Sequence, residues 1–117
     1  MQIQLNWEDA PAHIVDAVVY PYPDLQRLWL RVAISAFAEY PDLDARVLDP
    51  AGHAVASLAV IELHDQELSH TLHLRRPPQA DLVYRLELRL TRGGQVLDEK
   101  HLDFPLTFVD PDSARSV

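Results

Sequence analysis

Hydrophobic and polar residues alternate along much of this chain. In the longest run, residues 82–91, apolar residues recur at every second position: Leu82, Tyr84, Leu86, Leu88 and Leu90. A two-residue period predicts a β-strand with one face in a core and the other in solvent. Shorter apolar or alternating runs occupy residues 3–7, 13–20, 43–48, 54–61 and 66–74. The pattern therefore predicts a chain made largely of short strands.

The turn between residues 43–48 and 54–61 has a recognisable sequence. Residues 49–52 read Asp-Pro-Ala-Gly. These residue types favour a type I turn, and the final glycine can adopt a positive φ and form a bulge. The segment is predicted to join two antiparallel strands.

A second turn is predicted at Gly93-Gly94, because two glycines suit the central positions of a type I′ hairpin. A two-residue turn here sets Arg89 opposite Asp98 and Glu87 opposite Lys100, which are two complementary pairs. On the returning strand, Leu97 is out of phase with the later apolar positions that start at Leu102. A bulge or bend between Leu97 and Leu102 is therefore expected.

Residues 24–40 fit both a helix and a strand. A helix would place an apolar stripe on one side with Asp24 as its N-cap, but it would leave Leu30 and Ile34 on the polar face. A strand alternates cleanly from Leu28 to Ile34 and leaves Trp29 and Phe37 to cover an edge or a second layer. We favour the strand, because every other segment of the chain has strand character.

About seven short strands separated by turns are typical of a sandwich. We predict an all-β fold with two antiparallel sheets, organised as a single domain over residues 1–109. Residues 110–117 are polar and are expected to form a flexible tail.

Composition and charge exclude several classes of function. Ten Lys and Arg against 18 Asp and Glu give a net charge of −8, with no cluster of cations for a nucleic-acid or membrane partner. The first residues have neither the positive nor the apolar region of a secretory signal, which predicts a cytoplasmic protein. The absence of cysteine agrees with that location and removes disulfides and thiol chemistry.

One segment resembles a known fold family. Residues 80–88, which include Tyr84 and Leu86, resemble the start of the F strand in immunoglobulin-like and fibronectin type III-like domains. In those domains a tyrosine makes a hydrogen bond back across the corner, and the resemblance gives this role to Tyr84. Leu86 stands where immunoglobulin domains carry a cysteine, as in the fibronectin-like branch, and Trp29 also looks fibronectin-like. The resemblance covers roughly residues 25–104 and implies an immunoglobulin-like sandwich, a fold used more often for binding than for catalysis.

The densest group of metal-ligand side chains lies in residues 64–73. His64, Glu67 and His70 are the candidate ligands. Residues three apart on a strand point to opposite faces, which argues against a shared ion unless a bulge intervenes. The serines lack the glycine pattern of a nucleophile turn, and the three glycines form no phosphate-binding loop. We expect neither an enzyme nor a bound cofactor.

Aromatic residues are concentrated in the first third of the chain. Tyr20, Tyr22, Trp29 and Tyr40 are candidates for an interaction patch, since aromatic side chains are enriched at interfaces. The other interpretation, which we favour, is a sandwich core with a Pro-Tyr corner.

The sequence favours a non-catalytic protein-interaction or structural module with another protein, or a second copy, as its partner. Residues 54–61 are uncharged and are the candidate edge strand for self-association. The alternative is a small-ligand or metal-binding domain that uses residues 64–73.

Overall fold

The computed structural model describes residues 11–109, which form seven β-strands and no helix. This part of the chain accordingly contains no helix that could cross a membrane. The predicted strand at residues 3–7 and the predicted tail at 110–117 lie outside the described residues. The strands are β1 (Ile14–Pro21), β2 (Arg27–Ile34), β3 (Asp42–Leu48), β4 (Ala54–Val60), β5 (Glu67–His73), β6 (Val83–Arg92) and β7 (Gln95–Pro105).

The strands form two antiparallel sheets. The first has three strands in the order β1-β2-β5, and the second has four in the order β4-β3-β6-β7. Alternate residues of the strands face the space between the sheets, where leucine and valine side chains form the core. The predicted fold class, an all-β sandwich of two antiparallel sheets with seven strands, is confirmed.

β2 settles the ambiguity of residues 24–40. Leu28, Leu30 and Val32 are at most 2% exposed, as the strand interpretation requires. Asp24 caps a turn and not a helix, because its carboxylate accepts hydrogen bonds from the backbone N–H groups of Gln26 and Arg27 at 3.0 and 3.2 Å. The strand interpretation is confirmed for Arg27–Ile34, and residues 35–41 form a loop.

The turn at residues 49–52 forms as predicted. Gly52 has a φ of 90°, and its N–H donates to the Asp49 carbonyl at 2.9 Å. The Asp49 carboxylate accepts two more backbone N–H bonds, from Ala51 at 3.0 Å and from His53 at 2.8 Å. After the turn, Leu48 pairs with Ala54 and Val47 with Ala56. The extra residue in β4 makes a bulge that buries two consecutive side chains.

The second hairpin has the predicted turn but a different register beyond it. Gly93 and Gly94 have φ angles of 58° and 79°, the left-handed values that a type I′ turn needs. Thr91 pairs with Val96, but Leu90 pairs with Asp98, so the bulge lies at Leu97.

The predicted charge pairs are wrong because of where the bulge lies. It begins at the first residue of the predicted range, so every later pair is shifted by one residue. Arg89 faces Glu99 and Glu87 faces His101, in place of the predicted pairs with Asp98 and Lys100.

Tyr84 anchors the loop that crosses from β5 to β6. Its side chain is 2% exposed, and its ring lies 6.1 Å from that of Phe104. The hydroxyl accepts a hydrogen bond from the backbone N–H of Gln79 at 3.0 Å. This is the contact back across the corner that the resemblance implied for Tyr84.

Candidate interaction surfaces

Three of the four predicted aromatic residues lie on the outer face of the three-stranded sheet. Tyr20 and Trp29 are neighbours across β1 and β2, and their rings stack with centroids 5.3 Å apart. The indole N–H of Trp29 donates to the Ser69 hydroxyl on β5 at 2.6 Å. Tyr20 remains 52% exposed. The stack therefore presents one aromatic surface to solvent.

Tyr22 extends this surface but is held by its own neighbours. The Arg27 guanidinium lies 4.5 Å from the centre of the Tyr22 ring, and the Tyr22 and Thr71 hydroxyls are 3.2 Å apart. Tyr22 is therefore half-buried and already satisfied within the sheet. Its contacts hold the turn between β1 and β2 in place, so it offers less free surface to a partner than Tyr20 does.

Tyr40 is separate from the other three aromatic residues. It lies in the loop after β2, where its ring stacks on His64 with centroids 4.0 Å apart and meets the edge of Phe37 at 6.2 Å. The structure thus divides the predicted patch into an outer-sheet surface and a loop cluster, because the chain leaves the sheet at Ile34 before it reaches Tyr40.

The predicted metal ligands are not brought together. Glu67 pairs in register with Ala33 on the outer face, whereas His70 pairs with Leu30, whose side chain is in the core. His64 lies apart from both, in the loop between β4 and β5, where its ring stacks on Tyr40. Among residues 11–109 no three His, Cys, Asp or Glu side chains are placed to hold a metal ion. Glu67 and His70 lie three residues apart on β5, which places them on opposite faces of the sheet.

The outer face of the four-stranded sheet carries a lattice of opposite charges. Cross-strand ion pairs join Arg46 to Glu87 at 2.6 Å, Arg85 to Asp103 at 2.8 Å and Arg89 to Glu99 at 3.0 Å. The hydrogen bond from Arg85 lowers the pKa of Asp103, and the same bond raises the pKa of Arg85. Each of these guanidinium groups is matched by a carboxylate. This face therefore presents no concentrated field for a charged substrate.

Three of the four sheet edges carry features that resist pairing with another strand. On β1 these are a bulge between Ile14 and Asp16 and a proline at its end, Pro21. β5 begins at the charged Glu67 and has two polar histidines, His70 and His73, further along. Charged side chains, prolines and bulges on edge strands disfavour edge-to-edge association.

The edge at β7 is protected in a different way. After the bulge, Asp98 stands opposite the buried Leu90, on the core side of the sheet. Its carboxylate accepts a hydrogen bond from the Ile14 backbone N–H at 2.8 Å, which links β7 to β1 of the other sheet. Asp98 was not among the sequence candidates, because the register that places it inward depends on where the bulge falls.

β4 is the fourth edge and has no charged residue between Ala54 and Val60. Only its first part is covered. The Arg75 backbone N–H donates to the Val55 carbonyl at 2.8 Å, and the Arg75 guanidinium lies 3.4 Å from the Ala54 carbonyl oxygen. Residues 56–60 pair with β3 on one side and have no strand on the other side within the described part of the chain. The predicted position of this segment at a sheet edge is confirmed.

No protein-family model matches this sequence, and no curated protein is similar to it. Solved structures do share its fold. A glycosyl hydrolase family 2 member from Bacteroides cellulosilyticus matches with a TM-score of 0.68 at 19% identity, over 82% of this chain and 14% of that one.

Two β-glucuronidases give similar results. The enzyme from Bifidobacterium dentium has a TM-score of 0.65 at 14% identity, over 82% of this chain and 18% of its own. The enzyme from Ruminococcus gnavus has a TM-score of 0.59 at 19% identity, over 81% and 16%. This chain thus spans less than a fifth of each enzyme. At these identities the likeness shows a shared β-sandwich, of the kind that forms a small portion of much larger glycosidase chains.

Proposed function

We propose that this protein is a non-catalytic accessory module whose task is to bind another polypeptide. The share of each glycosidase that it matches, 14–18%, supports an accessory part of the architecture over a catalytic one. Fold alone does not fix function.

We further propose that the sandwich belongs to the fibronectin type III-like branch. In constant-type immunoglobulin domains the fourth strand joins the sheet of the first, second and fifth strands. Here β4 pairs with β3 in the other sheet. The tyrosine corner at Tyr84 and the leucine at position 86 fit the same branch.

The mode of binding that we propose is strand addition to β4. The observation that carries it is the contrast between the four edges: three have charges, bulges, proline or an inward carboxylate, and β4, beyond its own bulge at Val55, has none of these along residues 56–60. A partner strand would satisfy the free backbone groups of that segment. Main-chain hydrogen bonds would supply the affinity, as in other cases of strand addition.

The test is a matched capture experiment from the native cell extract with three immobilised forms: wild type, Ala59→Lys and Ala80→Lys. Ala59 is exposed on the outer face of β4, and Ala80 is exposed in the loop before β6, so both variants add the same charge to an exposed alanine. A partner retained by wild type and Ala80→Lys but lost by Ala59→Lys supports strand addition. A partner that Ala59→Lys retains fully contradicts it.

A further inference from the structure

The uncovered part of β4 is symmetric about one residue. Arg75 occupies the backbone edge at Ala54 and Val55, and its guanidinium also reaches the Ser57 hydroxyl at 3.5 Å. The strand ends at Val60, so the segment whose backbone edge Arg75 leaves open is residues 56–60, and its midpoint is Leu58. Building on the proposed function, we propose that the strand added to β4 is β4 of a second copy, antiparallel, with Leu58 on the two-fold axis. The two four-stranded sheets would then form one continuous sheet.

The charge pattern of the outer face is compatible with the same register. Next to β4, the outer face of β3 carries Arg46 beside Ser57 and Asp44 beside Ala59. With Leu58 opposite Leu58, Ser57 lies opposite Ala59 of the second copy. Each row across the seam then runs from Arg46, over two small residues, to Asp44 of the second copy. Opposite charges face each other across about 14 Å of backbone spacing, from three strand intervals.

A shift of the axis by one residue removes this match. With Ser57 opposite Ser57, the two Arg46 side chains share a row, in place of Arg46 and Asp44.

The apolar side chains at the seam favour the same arrangement. Leu58 and Val60 are only partly buried, although both pack against the core. In the proposed pair the two Leu58 side chains meet on the core side, and Val60 lies beside Ala56 of the second copy. Contact between the copies removes apolar surface from water, which is the dominant favourable contribution in most protein associations. On the outer side the side chains of β4 itself are small, namely Ser57 and Ala59.

Net charge sets the conditions under which the pair forms. Each copy carries −8, so two copies repel one another at low ionic strength. Salt screens this repulsion once the Debye length falls to about 10 Å, near 0.1 M. Self-association is therefore expected to strengthen between low salt and about 0.3 M salt, the reverse of an interface held by surface ion pairs alone.

The first experiment measures the mass of the purified full chain by light scattering and sedimentation over a dilution series, at low and raised salt. We expect a concentration-dependent dimer that is favoured by salt. Ala59→Lys should weaken dimerisation by at least about tenfold, since an edge lysine opposes strand pairing. The introduced ammonium group would lie beside Asp44 of its own chain, so the fold itself is not threatened. Ala80→Lys should dimerise as wild type does, and circular dichroism checks that both variants are folded.

The second experiment tests the register. The chain has no cysteine, so Ser57→Cys and Ala59→Cys each introduce a single thiol. Directly opposed residues have Cβ atoms about 4.5–5.5 Å apart. Mild oxidation of an equimolar mixture should give the mixed disulfide, and each variant alone should remain largely uncrosslinked. Efficient crosslinking of Ser57→Cys with itself would overturn the Leu58 register.

The outcomes separate this inference from the proposed function. A chain that stays monomeric at high concentration in raised salt, with no mixed disulfide, overturns self-pairing. The proposed function survives that result if the capture experiment finds a different protein that Ala59→Lys loses. A dimer that Ala59→Lys leaves intact contradicts the use of β4 in both the proposed function and the proposed self-pairing.

Discussion

The hydrogen bond at Tyr84 offers the sharpest test of how the sandwich is held together. Tyr84→Phe removes one hydroxyl and leaves the ring packing against Phe104 unchanged. The Gln79 N–H, which donates to that hydroxyl at 3.0 Å in a partly buried position, loses its partner. A net hydrogen bond contributes about 0.5–1.5 kcal/mol, and an unsatisfied buried donor costs about 1–3 kcal/mol, so we expect the free energy of unfolding to fall by about 1.5 kcal/mol.

The assays are urea unfolding, which gives the free energy, and thermal unfolding, which gives the Tm, both followed by circular dichroism and tryptophan fluorescence. At about 4–8 °C per kcal/mol for a domain near this size, the Tm should fall by about 6–12 °C. Tyr20→Phe is the control, because it makes the same chemical change on a side chain that is 52% exposed. A Tyr84→Phe variant as stable as the Tyr20→Phe variant would refute the structural role assigned to the corner.

Three further predictions concern the turns and the link between the two sheets. Asp98→Ala should lower the free energy of unfolding by about 1.5 kcal/mol, as expected for the loss of a hydrogen bond to a charged group, and should speed hydrogen exchange of the Ile14 amide. Asp98→Asn keeps an acceptor and should restore part of the stability and part of the amide protection. The hydrogen bond from the His53 backbone N–H holds the pKa of Asp49 below its ordinary 3.8. Ionised Asp49 therefore contributes its full stabilisation above pH 3.8, and this stabilisation is lost as the pH falls through the lower pKa of the folded state. Asp49→Asn should flatten this acid-side loss in urea titrations, and an unchanged pH profile would contradict it. Gly93→Ala should lower the free energy of unfolding by about 1 kcal/mol in the same urea assay, because its φ is 58°, whereas Gly93→Asn should cost less, because Asn adopts left-handed φ more readily.

The alternation of apolar residues was sufficient to predict the architecture. In residues 24–40 the decision rested on Leu30 and Ile34, which a helix would have exposed and which the structure buries. Burial of an apolar side chain outweighs local helix preference, so the two-residue period was the more reliable signal. The turn residues Gly52 and Gly93 fixed where the strands reverse.

The register beyond the second turn was not predictable from charge pairing. Arg89 has an acidic residue opposite it in either register, Asp98 in the predicted one and Glu99 in the structure. Charge pairing therefore favoured the predicted register, in which Glu87 also has a lysine, Lys100, opposite it in place of His101. Only the out-of-phase Leu97 argued against that register, and it indicated that a bulge exists without placing it within the strand.

The candidate surfaces were predicted less well than the fold, because they depend on contacts between segments far apart in sequence. Tyr40 was grouped with Tyr20 by proximity along the chain, yet it stacks on His64 in another loop. The partial cover of β4 comes from Arg75, which no local pattern links to Val55. The lack of charge in β4, in contrast, is a local property that the sequence shows directly.

The strand order has a consequence for how quickly this chain reaches its folded state. β2 must find β5, and β3 must find β6, about 40 residues further along the chain in each case. Chains dominated by such distant pairings fold in milliseconds to seconds, far more slowly than helical domains. During that interval the uncharged β4 segment has paired with no more than its hairpin partner, so newly made chains at high concentration risk joining one another before the sandwich has closed.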